Sequence, residues 1–147
     1  MEQTDEAAPA ATDRKARGLA LLLEQSARLI YDQRHPNDLH AVQWSALRYF
    51  SRAGERARNV AGLSRYLGVT SAPASRTAAS LLKRGLVSVS PSPDDSRSRV
   101  YDLTAAGTEM LKQDPINRVS DLLVGLSPEE QALLARVLDR ICAALHN

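Results

Sequence analysis

Cysteine occurs once in the 147 residues, at Cys142, so no internal disulfide can form. That usage suits a reducing, cytoplasmic setting. Long apolar runs are missing too. The longest purely apolar stretch, residues 19–23, is far short of the roughly 20 residues a membrane-crossing helix needs. The opening MEQTDEAAPAAT is acidic and polar, which argues against a secretory leader; residues 1–12 read as a flexible acidic tail. Signals for chemistry are equally scarce. There is no glycine-rich phosphate loop and no nucleophile motif. The three histidines, His35, His40 and His146, have no metal-ligand spacing with Cys142, and the carboxylates are scattered. No catalytic residue, metal or cofactor is expected.

An apolar fraction of 44% is ordinary for a soluble domain, and the length suffices for one domain, residues 13–147, with a real core. Net charge is only +2, but it is unevenly placed. Residues 1–47 carry five Lys/Arg against seven Asp/Glu, residues 48–99 ten against three, and residues 100–147 four against seven. The segments therefore contribute −2, +7 and −3, which sum to +2. A basic middle between acidic ends is either a solvated Arg-rich surface or the footprint of a polyanion held on one face.

Apolar spacing predicts a first helix over residues 13–33, with Leu19, Leu22, Leu23, Leu29 and Ile30 on its stripe and Pro36 and Asn37 breaking it. A second covers residues 39–53, with Val42, Ala46, Leu47 and Phe50 on one face. After a polar link at residues 54–59, a compact third helix fills residues 60–67 and closes at Gly68. Thr70 is placed to cap a fourth, in which Ala74, Ala78 and Leu81 face inward, Pro73 lies in the first turn and Gly85 ends the helix. Two strands follow, residues 86–90 and 98–103, joined by the turn-forming PSPDDSR. Thr104 is placed to cap a fifth helix, from Ala105 to about Gly125, which Pro115 should kink or interrupt. Ser127-Pro128-Glu129-Glu130 is a capping box opening a sixth, to about Leu145.

The expected fold is mainly α with a small β-hairpin wing: a winged helix-turn-helix lobe, about residues 39–104, flanked by helices at about 13–35 and 105–147. The flanking helices are too leucine-rich for one small core to hide, so they are expected to pair with a second copy. A polar, Arg-bearing helix beside an Arg-tipped hairpin suits duplex DNA, with the helix in the major groove and the wing over the minor groove. On the fourth helix, Ser71, Ala72, Ser75 and Arg76 occupy the N-terminal exposed face. In the wing, Arg97 suits the negative potential of a narrow minor groove, and Arg99 can reach flanking phosphate. Arg52, Arg56, Arg58, Arg65, Lys83 and Arg84 are phosphate contacts or plain solubility charges. Cys142, among apolar neighbours, reads as a buried structural thiol.

At this level of detail the chain resembles the MarR family, the multiple-antibiotic-resistance-type regulators. QWSALRYF resembles the family's second-helix signature, LSRYLGVT the helix before the turn, and ASRTAASLLKRGLVSVSPSPDDSRSRVYDLTAAG the recognition helix, the wing and the start of the next helix. Departures are Ser92-Pro93 for the usual Asp-Pro, Ser71 where many members have Lys, and Ala79-Ser80 for a common Asp–Arg pair. The resemblance implies a cytoplasmic homodimeric DNA-binding regulator, a repressor released by a small aromatic or phenolic anion. It also implies that Asp95 pairs with Arg97 and aims it. It suggests a ligand pocket between the dimer-forming helices and the DNA-binding lobe, for which Trp44, Arg48, His40 and Tyr31 are candidates; plain core is the competing role for Trp44. A winged-helix module for protein assembly, or a DNA-binding protein with no ligand, are the alternatives.

Overall fold

The computed structural model describes residues 7–32 and 38–146, with side chains from residue 12 onward. Pro36, Asn37 and His35 lie outside the described residues. The chain falls into two units, residues 1–37 and residues 38–147.

The first unit is one helix, α1 (Ala7–Ile30). It starts before the expected Asp13, so residues 7–12 are helical rather than tail. Its leucines lie open in the single chain; Leu19 is 68% exposed and Leu22 59%.

The second unit opens with α2 (Ala41–Arg52), a 3₁₀ turn (Glu55–Ala57), α3 (Val60–Leu67) and α4 (Ser71–Lys83). The strands β1 (Val87–Pro91) and β2 (Arg99–Leu103) follow, then α5 (Ala105–Leu111), α6 (Pro115–Val124) and α7 (Pro128–Leu145). The two strands pair antiparallel, with Val87 opposite Leu103 and Pro91 opposite Arg99. The core gathers Leu39, Trp44, Leu47 and Phe50 around α2, Leu63 from α3, Ala74, Ala78 and Leu81 from α4, and Val100 and Tyr101 from β2. Tyr101 stacks on Phe50 at 5.1 Å between ring centroids, which seats the wing on α2. The two alanines of α4 let its backbone approach its neighbours closely. Val42, expected on the inward face of α2, is exposed.

Local signals explain the helix ends. Asn59 Oδ1 accepts from the Gly62 N–H at 2.8 Å and caps α3. Gly68 (φ 65°) and Gly85 (φ 68°) take the left-handed conformation that costs other residues most. At the second of these, Leu86 N–H reaches the Leu81 carbonyl at 3.1 Å and Gly85 N–H the Leu82 carbonyl at 3.0 Å, a Schellman end that turns the chain into the wing. Thr70 occupies the N-cap position of α4, but its side chain makes no capping bond. Ser127 and Glu130 form the expected reciprocal box at the start of α7.

The expected fifth helix is two. Pro115 becomes the first residue of α6, where its missing N–H costs nothing, and Asp114 caps it through Ile116 N–H at 3.0 Å. Asp114 is only 4% exposed. Its other oxygen accepts from Arg48 Nε at 2.6 Å, tying α2 to the α5–α6 break. Asp114→Ala removes a cap and leaves a half-buried guanidinium without this carboxylate. Urea unfolding at fixed protein concentration should show a loss of about 2–4 kcal/mol, with Asp114→Asn in between because it retains the cap. A loss under about 0.5 kcal/mol for Asp114→Ala would mean the pair contributes nothing.

Candidate nucleic-acid interface

The helix-turn-helix is α3, the turn at Gly68, and α4. Ser64 Oγ donates to the Val69 carbonyl at 2.7 Å, closing the turn. From α4 the side chains of Ser71, Ala72, Ser75, Arg76, Ala79 and Lys83 are exposed, and their spacing puts Ala72, Ser75, Arg76, Ala79 and Lys83 on one face. The short residues near the N-terminus leave the backbone free to approach a groove floor. Arg84 sits past the helix end, within reach of the Asp38 carbonyl at 3.5 Å. The roll of α4 is set from behind. The buried Gln43 donates to Ser80 Oγ at 2.6 Å while its Oε1 accepts from His40 N–H at 2.8 Å.

The electrostatics of this surface have a simple source in the sequence: no Asp or Glu occurs between Glu55 and Asp94. The whole of α3, α4 and β1 thus lacks a carboxylate side chain. The amino-terminal end of α4 adds its own positive dipole.

The wing tip is organised by Asp95. Its Oδ1 accepts from Arg97 N–H at 2.9 Å and its Oδ2 from Ser98 Oγ at 3.0 Å. The expected side-chain pair between Asp95 and Arg97 is not formed; the carboxylate meets the Arg97 backbone N–H instead. Asp95 therefore shapes the loop rather than gripping the guanidinium. The exposed side chains of Arg97 and Arg99 make no ion pair among the described residues. Ser92 N–H donates to the Ser98 carbonyl at 2.8 Å and extends the ladder beyond β1 and β2.

Two arginines read as phosphate contacts or solubility charges are engaged with the wing instead. Arg56 Nε lies 3.0 Å from Asp94 Oδ2, in an exposed pair. Arg58 Nη2 lies 2.9 Å from Asp102 Oδ1 at the base of β2. The partners of each pair, 56 and 94, 58 and 102, are far apart in sequence, and no local pattern announces either pair.

Residues 37–98 match the MarR family model. A probable transcriptional regulator from Pseudomonas aeruginosa superposes with a TM-score of 0.68 at 26% identity, covering 88% of this chain and 98% of that one. The PcaV transcriptional regulator of Streptomyces coelicolor, solved with its natural ligand, gives 0.67 at 21% identity over 86% and 91%. Bordetella bronchiseptica BpsR, whose DNA binding is regulated by 6-hydroxynicotinic acid, gives 0.66 at 20% identity over 87% and 98%. No curated protein matches the chain by sequence. Over residues 37–98 the chain is similar to the MarR family of transcription regulators, and it has their DNA-binding winged-helix fold.

The ligand question turns on four residues, and the second unit does not gather those that lie in it. Trp44 is 4% exposed, so it serves the core. His40 precedes the first residue of α2 and Arg48 lies eight residues on, about 12 Å along the axis. Tyr31 follows α1, in the other unit. Arg48 instead helps line an open depression of about 290 Å³ with Tyr49, Arg52, Ala53 and Tyr66. Tyr49 and Tyr66 stand 5.1 Å apart between ring centroids. Tyr49 donates to the Ala57 carbonyl at 2.6 Å, and burial raises its phenol pKa against the opposing pull of Arg65. Cys142 is exposed, not buried. Its apolar neighbours Leu138 and Ile141 are only partly covered themselves, and they do not bury it. Among the described residues no cluster of three or more His, Cys, Asp or Glu could hold a metal ion. No described helix is long and apolar enough to cross a membrane.

The two bonds accepted by the Asp95 side chain predict the order of the wing tip. Asp95→Ala should speed amide hydrogen exchange across residues 96–98 about tenfold while moving the thermal midpoint by less than about 2 °C. Unchanged exchange would show that the tip is held by something else.

Proposed function

We propose that this protein is a homodimeric repressor that binds a pseudo-palindromic operator and lets go when a small aromatic acid binds. The observation that carries the DNA half is the acid-free run of α3, α4 and β1, followed by Arg97 and Arg99, whose guanidiniums make no ion pair among the described residues. On a duplex, Ser71, Ala72, Ser75 and Arg76 enter the major groove, where Arg76 can grip a guanine or a phosphate. Arg97 enters the minor groove, and Arg99, Lys83 and Arg84 hold flanking phosphates. Asp95 contributes by shaping the tip and touches no DNA.

The dimer reading rests on uncovered apolar side chains. Leu122 in α6 is 70% exposed, Val124 75%, and Leu145 in α7 81%, in addition to the leucines of α1. Monomeric proteins rarely leave so much apolar surface open. A second copy of the same helices would cover it, with the dimerisation helices at about residues 13–35 and 105–147 and the winged lobe at about 39–104. Two recognition helices about 34–36 Å apart would then meet successive major grooves on one side of the duplex.

The ligand reading draws on the depression beside α2. Arg52 there makes no ion pair among the described residues, and the rings of Tyr49 and Tyr66 offer a flat apolar wall, a chemistry suited to a planar carboxylate. PcaV with its natural ligand and BpsR with 6-hydroxynicotinic acid are relatives in fold that answer to small molecules. Release requires that the acid bind the non-operator conformer more tightly than the operator-bound one.

Selection from random duplex DNA followed by anisotropy titration tests the first half. Arg97→Ala should weaken the selected site at least about tenfold with the fold and dimer intact. The logarithm of affinity should fall with the logarithm of salt by about 0.9 for each phosphate contacted. Near-unchanged affinity would remove Arg97 from the interface. For the ligand half, a hydroxylated aromatic acid should raise the thermal midpoint of the wild type and not of Arg52→Ala. Equal shifts in both would place the ligand elsewhere.

A further inference from the structure

The wing is attached to the rest of the lobe through the short link between α2 and α3. The Arg58 carbonyl accepts from Tyr101 N–H at 2.8 Å, and the Arg58 guanidinium reaches Asp102 on the same strand at 2.9 Å. One residue thus holds β2 by both backbone and side chain. The next residue, Asn59, caps α3, so two adjacent positions hold the wing and start the helix-turn-helix. The Nε of Arg58 is buried and donates to nothing among the described residues. Leaving a guanidinium donor unsatisfied costs free energy, and a side chain serving only as a mobile phosphate contact would stay in solvent. The cost makes sense where the position itself matters.

We propose that Arg58 and Asp102 are positioning residues for minor-groove reading: the pair fixes the angle of the wing to α4, and through it the aim of Arg97, without touching DNA. This rests on the regulator reading above. It also assigns a wing carboxylate a favourable role in binding a polyanion, which simple charge counting forbids. Removing an acid near a duplex should raise affinity by long-range attraction; removing the acid that aims the wing should lower it.

The sign of that change is the test. Asp102→Asn, with helical content and dimer confirmed, should weaken binding to the selected site about five- to tenfold, and should erase any preference for A·T over G·C where the wing lies. In an Arg97→Ala background the same substitution should change affinity by less than about twofold, because the side chain it aims is gone. Arg58→Lys, which keeps the charge but loses the fork, should show the same non-additivity with Arg97→Ala and supplies the test should Asp102→Asn fail to fold. Tighter or unchanged binding by Asp102→Asn overturns the proposal, as does full additivity with Arg97→Ala, which would make the pair an ordinary contact or a global stabiliser. A wild type that binds no duplex overturns the regulator reading and this inference together; a wild type that binds, with additive variants, overturns this inference alone.

Discussion

The backbone hydrogen bond from Tyr101 N–H to the Arg58 carbonyl registers the wing against the helix-turn-helix. An isolated two-stranded hairpin is marginal in water. Here β1 and β2 gain persistence from what they are fastened to: the stacked Phe50 and Tyr101 rings, the Schellman end of α4 that leads into β1, and Thr104. The Thr104 hydroxyl donates to the Gly85 carbonyl at 2.6 Å and accepts from Gly107 N–H at 3.1 Å. Each bond ties the hairpin to a helix end. Two grooves of one duplex can be read together only if the helix and the wing keep a fixed separation, and these attachments supply the rigidity that a two-stranded sheet lacks.

Charge is distributed by the same logic. A polyanion is met best by cations that owe nothing to internal partners. The wing contains three acids, Asp94, Asp95 and Asp102, and each has a partner within the lobe: Arg56, the tip backbone, and Arg58. Arg97 and Arg99 are left with none among the described residues. The acids of the wing are therefore spent on geometry and the remaining arginines on attraction.

Features encoded within a few residues were legible in the sequence. The bounds of α3 follow from Asn59 before it and Gly68 after it, α7 from its capping box, and the wing turn from its Pro, Ser and Asp content. The inward stripe of Ala74, Ala78 and Leu81 follows from helical period alone, and Trp44 and Phe50 proved to be core. Pairs closed by the fold were not legible. Arg48 meets Asp114 and Arg58 meets Asp102 across long stretches of chain, and nothing local distinguishes these arginines from solvent-facing ones. Asp95 was misjudged because sequence proximity to Arg97 suggests an ion pair, whereas a tight turn presents the nearer backbone N–H. Cys142 was misjudged because an apolar stripe implies burial only if something packs against it.

That last case points to the logic of the flanking helices. A helix with an apolar face open to water is not stable for its propensity alone. In α6 and α7 several apolar side chains are exposed, Leu122 and Leu145 among them, and the proposed dimer would cover them. Asp114 connects the two regions. It caps α6 and holds Arg48 of α2, so a displacement of α6 strains a buried contact on the helix that carries Phe50 and, through it, the wing. Two copies joined by such helices would set the separation of their recognition helices by the packing of α6 and α7. A ligand lodged beside Arg48 and Arg52 would act on that separation through Asp114, the buried partner of Arg48.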